Sequence, residues 1–284
     1  MKYSKLGNSE LEVSNICLGT WPIGGGMGAI EQKDAIDAIH ASIDSGINFL
    51  DTAQMYFDSE YILGKAIKGK RNKIILASKL SSWKNINDIE KALENSLKNL
   101  QTDVIDLYQI HWWDPTTPID ETLRALDDLT AQGKIRYFGC SNFNSWQVCE
   151  SVWTSRDLSL RSFISVQPHY SLLERSIETD LIPFCDRYDM GILPYFPLAN
   201  GFLTGKYRKG AAPPDGTRLQ SDDRGLFSDR NFEILEQLIS FCDERGKNII
   251  DLAKENNLQK KRIYITLHLR VEAPENKWIE NEEF

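Results

Sequence analysis

The sequence lacks several features that would direct it to particular classes of protein. Its five cysteines are an odd number and none forms a CxxC pair, which favours reduced, mostly buried thiols over a disulfide framework. No run approaches the about 18 apolar residues of a membrane-spanning helix. Residues 1–13 contain no apolar core of the signal-peptide type. We therefore expect a soluble, cytoplasmic protein.

An excess of positive charge is also missing. The chain has 33 Lys and Arg residues against 41 Asp and Glu residues, a formal net charge of −8. Proteins that bind nucleic acids or anionic membranes usually show the opposite balance or a strongly basic block. The composition therefore predicts neither a nucleic-acid nor a membrane partner, and an anionic ligand would have to meet local positive groups.

A glycine-rich dinucleotide-binding fingerprint is absent too. The only glycine cluster, Gly24-Gly25-Gly26, lacks the GxGxxG spacing, follows Pro22 and does not open a helix. We interpret it as a flexible loop beside a pocket. Apolar residues make up 41% and charged residues 26% of the 284 residues, which is typical of a globular protein. We expect one domain over residues 1–284.

Strand and helix patterns alternate along the chain, after a short hairpin predicted over residues 2–13. The predicted strands are 16–20, 48–51, 74–79, 105–111, 135–140, 163–167 and 191–196. The predicted helices are 31–45, 59–68, 88–100, 118–131, 146–153, 181–188 and 231–245, and residues 211–225 read as a long loop. Unbroken βαβ units at roughly 30-residue spacing predict a parallel sheet closed into an α/β barrel.

In such barrels the active site lies at the carboxyl ends of the strands. Asp51, Lys79 and His111 end three consecutive predicted strands, and Tyr56 follows Asp51 on the connecting loop. A nearby ammonium lowers the pKa of a tyrosine, an aspartate holds that ammonium in place, and a histidine can orient a substrate oxygen. The four residues therefore form a workable set for general acid catalysis.

Six ordered segments carry a family resemblance across residues 1–253. They read DTAQMY and SEYILG (51–56 and 59–64), ASK (77–79), DLYQIHW (106–112), GKIRYFGCSNF (133–143), VQPHYSLLER (166–175), and PYFPL through GKY (194–207). The sequence resembles the aldo-keto reductase family, which implies a (β/α)8 TIM barrel with an N-terminal β-hairpin. The resemblance also implies NADPH-dependent reduction of aldehydes or ketones to alcohols.

The resemblance assigns a role to each candidate residue. Tyr56 would protonate the carbonyl oxygen, Lys79 would lower the Tyr56 pKa, Asp51 would pair with Lys79, and His111 would orient the substrate. The implied NADPH-binding residues are Gly19, Thr20, Trp21, Asp51, Ser141, Asn142, Gln167, Tyr195, Phe196, Leu198, Gly201, Lys206 and Arg218. The implied substrate-binding residues are Trp21, Tyr56, His111 and Trp112, with Trp113 as a further pocket wall.

After about residue 253 the sequence departs from the family pattern. Residues 263–271 are plausible as the eighth strand, but no glycine turn and no helix of normal length follow. We expect an atypical or incomplete final strand and helix, whose origin is a native variant, a truncation or a frame change. Lys260, Lys261 and Arg262 are the basic residues available for an adenosine 2′-phosphate.

Three functions compete at this point. The leading hypothesis is an NADPH-dependent carbonyl reductase. The second is a non-enzymatic NADPH-binding redox-sensing subunit, like the potassium-channel β-subunits of the same family, and the third is a barrel whose cofactor site is defective. Candidate substrates include aldehydes, sugars, ketosteroids and methylglyoxal-like compounds. The sequence leaves the oligomeric state open.

Overall fold

The computed structural model describes residues 1–26, 30–81, 86–258 and 263–267. The strands are β1 (Tyr3–Lys5), β2 (Glu12–Ser14), β3 (Ile16–Gly19), β4 (Phe49–Asp51), β5 (Ile75–Leu80), β6 (Ile105–Ile110), β7 (Ile135–Ser141), β8 (Ser165–Gln167), β9 (Gly191–Ile192) and β10 (Ile265–Leu267). The helices are α1 (Gln32–Asp44), α2 (Ser59–Ala66), α3 (Ile86–Leu100), α4 (Ile119–Ala131), α5 (Ser145–Asp157), α6 (Leu181–Tyr188), α7 (Asp229–Asp243) and α8 (Ile249–Leu258).

The predicted N-terminal hairpin is confirmed. Strands β1 and β2 pair antiparallel, and Gly7 takes a φ of +55° in the turn between them. A Cβ on Gly7 would lie 2.3 Å from the carbonyl oxygen of Ile164, so only glycine fits this close approach. Leu6 and Leu11 are buried in one cluster with side chains of the barrel interior, so the hairpin covers the amino-terminal end of the barrel.

The remaining eight strands form one parallel sheet in the order β10-β3-β4-β5-β6-β7-β8-β9. The sheet closes between β9 and β10, because Ile192 bridges Ile263 and the Tyr264 N–H donates to the Ile192 carbonyl at 2.9 Å. A closed barrel confirms the predicted fold class. The eighth strand is present as β10, while residues 268–271 of the predicted strand and Lys260–Arg262 lie outside the described residues.

Alternation along the strands builds two apolar layers. Cys17, Phe49, Ala77 and Leu107 face the barrel interior, while their neighbours pack outward under the helices. All five cysteines are free thiols and four of them are buried, as expected. In the part of the chain that the structure describes, no helix has the length and apolar character needed to cross a membrane.

Two helix starts differ from the sequence-based expectation. Helix α4 begins at Ile119, one residue after the predicted start, with Pro118 as its N-cap, and the Thr117 hydroxyl before it donates to the Asp114 carboxylate at 2.6 Å. Helix α3 begins at Ile86, two residues before the predicted start. In both places the helix start is displaced by one or two residues, within the range over which helix ends commonly vary.

Candidate active site

The barrel brings the four candidate proton-transfer residues to one end. Asp51 is the last residue of β4, Lys79 lies one residue before the end of β5, and His111 directly follows β6. Tyr56 lies in the turn that leads from β4 to α2. The carboxyl ends of neighbouring parallel strands lie at the same edge of the barrel. These side chains are therefore close in space although they are far apart in the sequence.

Asp51 and Lys79 form a buried ion pair. The Lys79 Nζ lies 2.5 Å from Asp51 Oδ2, and both residues are fully buried. The same ammonium donates to the Thr52 carbonyl at 2.8 Å and to the Tyr56 hydroxyl oxygen at 3.5 Å. Burial by itself lowers the pKa of Lys79, but the charge of Asp51 and the hydrogen bonds outweigh it and raise the pKa above its ordinary value.

Two amides occupy the other Asp51 oxygen. Gln109 Nε2 donates to Asp51 Oδ1 at 3.1 Å, and Gln167 Nε2 donates to the same atom at 3.2 Å. Gln167 was a predicted cofactor residue, whereas Gln109 was missed. The signal was available, since the strand alternation that points Leu107 and His111 inward also points Gln109 inward.

Burial dominates the titration of Tyr56. It raises the pKa of the Tyr56 hydroxyl above its usual value, while the Lys79 ammonium pulls that pKa down by a smaller amount. The expected lowering of the Tyr56 pKa by Lys79 is therefore present, but burial, which the sequence-based expectation did not consider, outweighs it. A raised pKa keeps Tyr56 protonated at neutral pH, which suits a proton donor.

His111 is neutral. Burial, followed by the positive charge of Lys79, lowers the pKa of His111 to about 2. The ring lies 5.8 Å from the Tyr56 ring and stacks on Trp112, with ring centroids 3.7 Å apart. Trp112 is 42% exposed, so it forms an accessible wall beside the proton-transfer group. Trp113 does not share this wall, because it packs edge-on against Phe143 and Trp146.

A second hydrogen-bonded group adjoins the ion pair. The Ser141 hydroxyl donates to the Gln167 carbonyl at 2.8 Å, and Asn142 Nδ2 donates to the His111 carbonyl at 2.9 Å. The Tyr195 hydroxyl donates to Asn142 Oδ1 at 2.8 Å. Asn142 has a φ of +57°, a left-handed conformation that asparagine tolerates well. The structure thus joins four predicted cofactor residues to the proton-transfer group.

Aromatic side chains and an arginine form the rim of the site. The Arg218 guanidinium lies 4.6 Å from the ring centres of both Trp21 and Phe196, so the long loop is folded over these residues. Burial, followed by repulsion from Arg224, lowers the pKa of Arg218 to about 10. Its Nη2 is buried without a hydrogen-bond partner among the described residues. A buried guanidinium N–H without a partner suits an anionic ligand.

The remaining predicted cofactor residues are spread over two places. Gly19 ends β3, and the next residue, Thr20, donates through its hydroxyl to the Asp51 carbonyl at 2.9 Å. Leu198, Gly201 and Lys206 instead lie around the short helical turn Ala199–Thr204. Lys206 is exposed beside Gly201, and among the described residues no hydrogen bond connects it to the proton-transfer group.

The glycine cluster lies beside the site, as the sequence predicted. A Cβ on Gly24 would lie 2.0 Å from the Tyr56 carbonyl oxygen, and one on Gly26 would lie 2.4 Å from the Trp21 indole. Gly24 is therefore required by the close approach of the loop to the backbone at Tyr56, while a side chain at position 26 would displace the Trp21 indole. Among the described residues, no cluster of three or more His, Cys, Asp or Glu side chains could hold a metal ion.

A closed parallel barrel with a buried Asp–Lys pair, a buried His and a partly buried Tyr at its strand ends is the architecture of a barrel oxidoreductase. The chain matches the model of the Aldo/keto reductase family over residues 15–267, and it belongs to this family. The match confirms the resemblance carried by the sequence motifs. It also extends beyond residue 253 to the end of β10, so the eighth strand is part of the family domain.

Curated relatives and a solved structure agree with this assignment. Aldo-keto reductase YhdN of Bacillus subtilis is 40% identical over 271 residues, covering 89% of this chain and 80% of the relative. A probable voltage-gated potassium channel subunit beta of Oryza sativa subsp. japonica is 34% identical over 272 residues, covering 89% and 82%. The glycerol dehydrogenase AKR11B4 of Gluconobacter oxydans superposes with a TM-score of 0.82 at 32% identity, covering 95% of this chain and 86% of that one.

Proposed function

We propose that the protein is a cytoplasmic, NADPH-dependent reductase of small aldehydes or ketones, with Tyr56 as the general acid. One observation carries the proposal, namely the placement of the Tyr56 hydroxyl 3.5 Å from a fully buried ammonium that is itself paired with Asp51. Burial keeps the hydroxyl protonated, and the adjacent ammonium stabilises the phenolate that forms when the proton leaves.

The described residues divide the work of such a reaction. The bound nicotinamide cofactor would supply the hydride. Tyr56 donates its proton to the carbonyl oxygen, and Lys79 holds the charge that develops on the phenolic oxygen. His111, being neutral, orients the carbonyl oxygen by a hydrogen bond and adds no charge. The Asp51–Lys79 pair is already in place before substrate arrives, so little reorganisation is needed.

The residues present fit a nicotinamide dinucleotide. Arg218 has a buried donor without a partner, which suits a phosphate oxygen. The Gln167 amide and the Asn142 amide offer the mixed donors and acceptors that a carboxamide needs. The residues that would hold the cofactor are Gly19, Thr20, Trp21, Asp51, Ser141, Asn142, Gln167, Tyr195, Phe196, Leu198, Gly201, Lys206 and Arg218. Trp21, Tyr56, His111 and Trp112 would contact the substrate.

A second function has support from the relatives. Two plant proteins 34% identical to this chain are described as probable voltage-gated potassium channel beta subunits. A chain in that role could bind NADPH and keep the same four residues. Turnover of carbonyl substrates separates the two functions, because cofactor binding is common to both.

The test combines a cofactor titration with a matched pair of tyrosine variants. Fluorescence titration with NADPH and then NADH should show tighter binding of NADPH. Turnover of a panel of aldehydes and ketones should fall by about 10²-fold or more in Tyr56→Phe, the loss expected for a general acid. Tyr61→Phe is the control, since Tyr61 lies on α2 and is 46% exposed.

Each outcome has a defined meaning. Loss of turnover in Tyr56→Phe with unchanged NADPH affinity supports the reductase. Binding of NADPH without turnover of any carbonyl in the parent protein supports the channel-subunit function instead. Absence of binding by either cofactor overturns both and favours a barrel with a defective cofactor site.

A further inference from the structure

Gln109 occupies a position that packing alone does not explain. Its side chain lies in the barrel interior and is fully buried, with Nε2 on Asp51 and Oε1 without a hydrogen-bond partner among the described residues. An unpaired buried carbonyl destabilises the folded state, and an apolar residue of similar size would avoid that cost. The compensating interaction is the one that the amide makes with Asp51.

The hydrogen bond from Gln109 directs the positive end of its amide dipole at the Asp51 carboxylate, which is the partner of Lys79. Asp51 Oδ2 faces the ammonium at 2.5 Å, and Oδ1 accepts from Gln109 and Gln167. Both amides point the positive ends of their N–H dipoles at the same carboxylate oxygen. Because Gln167 is also a proposed cofactor residue, Gln109 is the donor on Oδ1 that has no second assignment. It therefore supports Asp51 independently of what Gln167 does.

We propose that Gln109 is a positioning residue for the proton-transfer group. Gln109 fixes the Asp51 carboxylate, and it thereby sets the pH at which Tyr56 titrates through the Asp51–Lys79 pair. This inference rests on the proposed function, in which Tyr56 is the acid. Among the described residues, Gln109 makes no hydrogen bond to Tyr56 or to any residue proposed to contact the substrate, so its effect passes through Asp51.

The sign of the effect follows from the charges. The negative charge of Asp51 raises the pKa of Tyr56, and the ammonium of Lys79 lowers it. Removing the Gln109 dipole leaves the negative charge of Asp51 less compensated. The titration of Tyr56 should therefore move to higher pH.

The experiment replaces Gln109 by methionine, which has a similar volume and no amide, in the full chain. The control is Tyr108→Phe, since Tyr108 is buried on the opposite face of the same strand, in the outer apolar layer. Ultraviolet absorbance of tyrosinate is titrated in each protein and in its Tyr56→Phe version, and the difference isolates Tyr56. The pH profile of cofactor-linked alcohol oxidation, which needs the deprotonated tyrosine, is measured in parallel.

Gln109→Met should raise the pH at which Tyr56 titrates by about one unit, and shift the rise of the oxidation profile equally. Tyr108→Phe should leave both unchanged. An unmoved or lowered Tyr56 titration in a folded Gln109→Met protein overturns the proposal and leaves Gln109 a packing role. The absorbance readout does not depend on turnover. Failure of the proposed function, seen as normal turnover in Tyr56→Phe, is therefore distinguishable from failure of this inference.

Discussion

The ammonium of Lys79 lies 2.5 Å from the carboxylate of Asp51 inside the barrel, and neither residue is exposed. Two opposite charges withdrawn from water are tolerated only as a pair, because each would be strongly unfavourable alone. The pair therefore links the stability of the barrel to its proposed chemistry, since the same ammonium faces Tyr56.

The first prediction concerns removal of one partner. Lys79→Met should lower the free energy of unfolding by about 3–5 kcal/mol, because it leaves the Asp51 carboxylate buried without a counter-charge. Adding Asp51→Leu should restore much of that loss while turnover stays abolished. Urea unfolding of the two variants and the parent measures the difference. Equal stability of Lys79→Met and the double variant would contradict this account.

The second prediction concerns the pH dependence of stability. The folded pKa of His111 is about 2, below its ordinary value of 6.5, so the unfolded chain binds a proton that the folded protein does not. This contribution to stability is present above pH 6.5 and is lost as the pH falls toward 2. His111→Gln removes it, so the variant should lose less stability on acidification than the parent.

The expected difference is about 1.4 kcal/mol per pH unit below the unfolded pKa. Urea unfolding of parent and variant at about pH 7 and about pH 5 checks it. The pKa of His169 is also lowered by burial, but His169 is present in both proteins and cancels. A constant difference between the two proteins across this range would show that His111 is not held neutral.

The third prediction concerns Asp106, at the end of the barrel opposite the proton-transfer group. Asp106 is buried, and its carboxylate accepts from Arg71 at 2.8 Å, from Arg136 at 2.9 Å and from the Leu76 N–H at 2.9 Å. Asp106→Asn should destabilise the protein by about 1.5–3 kcal/mol, because it removes the negative charge that accepts hydrogen bonds from the Arg71 and Arg136 guanidiniums. Turnover per folded molecule should be unchanged, since this end of a barrel serves stability.

Denaturant midpoints and active-site titration separate these two quantities for Asp106→Asn. Glu10→Gln is the control, because the Lys5–Glu10 pair has the same kind of contact on an exposed surface. It should leave the midpoint almost unchanged, as solvent screens such pairs. A similar loss in both variants would mean that burial is not what makes Asp106 important.

The strand–helix alternation and the strand-end polar residues made the barrel and the Asp–Tyr–Lys–His group predictable. Both depend on periodicity and on a fixed geometric rule, the convergence of parallel strand ends. Even β10 was predictable, because its alternating β-branched residues form a strand despite the departure from the family pattern.

Other features depended on contacts between distant segments. The sandwich of Arg218 between Trp21 and Phe196 joins three loops, and no local pattern specifies it. The close approach of Gly24 to the Tyr56 carbonyl is likewise a tertiary constraint. The raised pKa of Tyr56 was missed because desolvation depends on how much of the barrel surrounds the hydroxyl, which the sequence does not state.

The fourth prediction uses the Gly24 contact. Gly24→Ala places a Cβ 2.0 Å from the Tyr56 carbonyl oxygen, so the turn that carries Tyr56 must shift. Turnover should fall by about tenfold or more, because small misplacements of a catalytic group are costly. Gly69→Ala is the control, since no atom lies within 4 Å of the added Cβ there. That variant, at a φ of +76°, should lose stability and keep its turnover.

The last prediction concerns Arg218 and the cofactor. Arg218→Met keeps an apolar chain between Trp21 and Phe196 but removes the unpartnered buried donor. Affinity for NADPH should fall by about tenfold or more, the loss expected for a charge-assisted hydrogen bond to phosphate. Arg224→Met is the matched control, because that guanidinium is exposed and lies 5.9 Å from the Trp21 ring. If the two variants bind NADPH equally well, Arg218 serves only to hold the long loop against the rim.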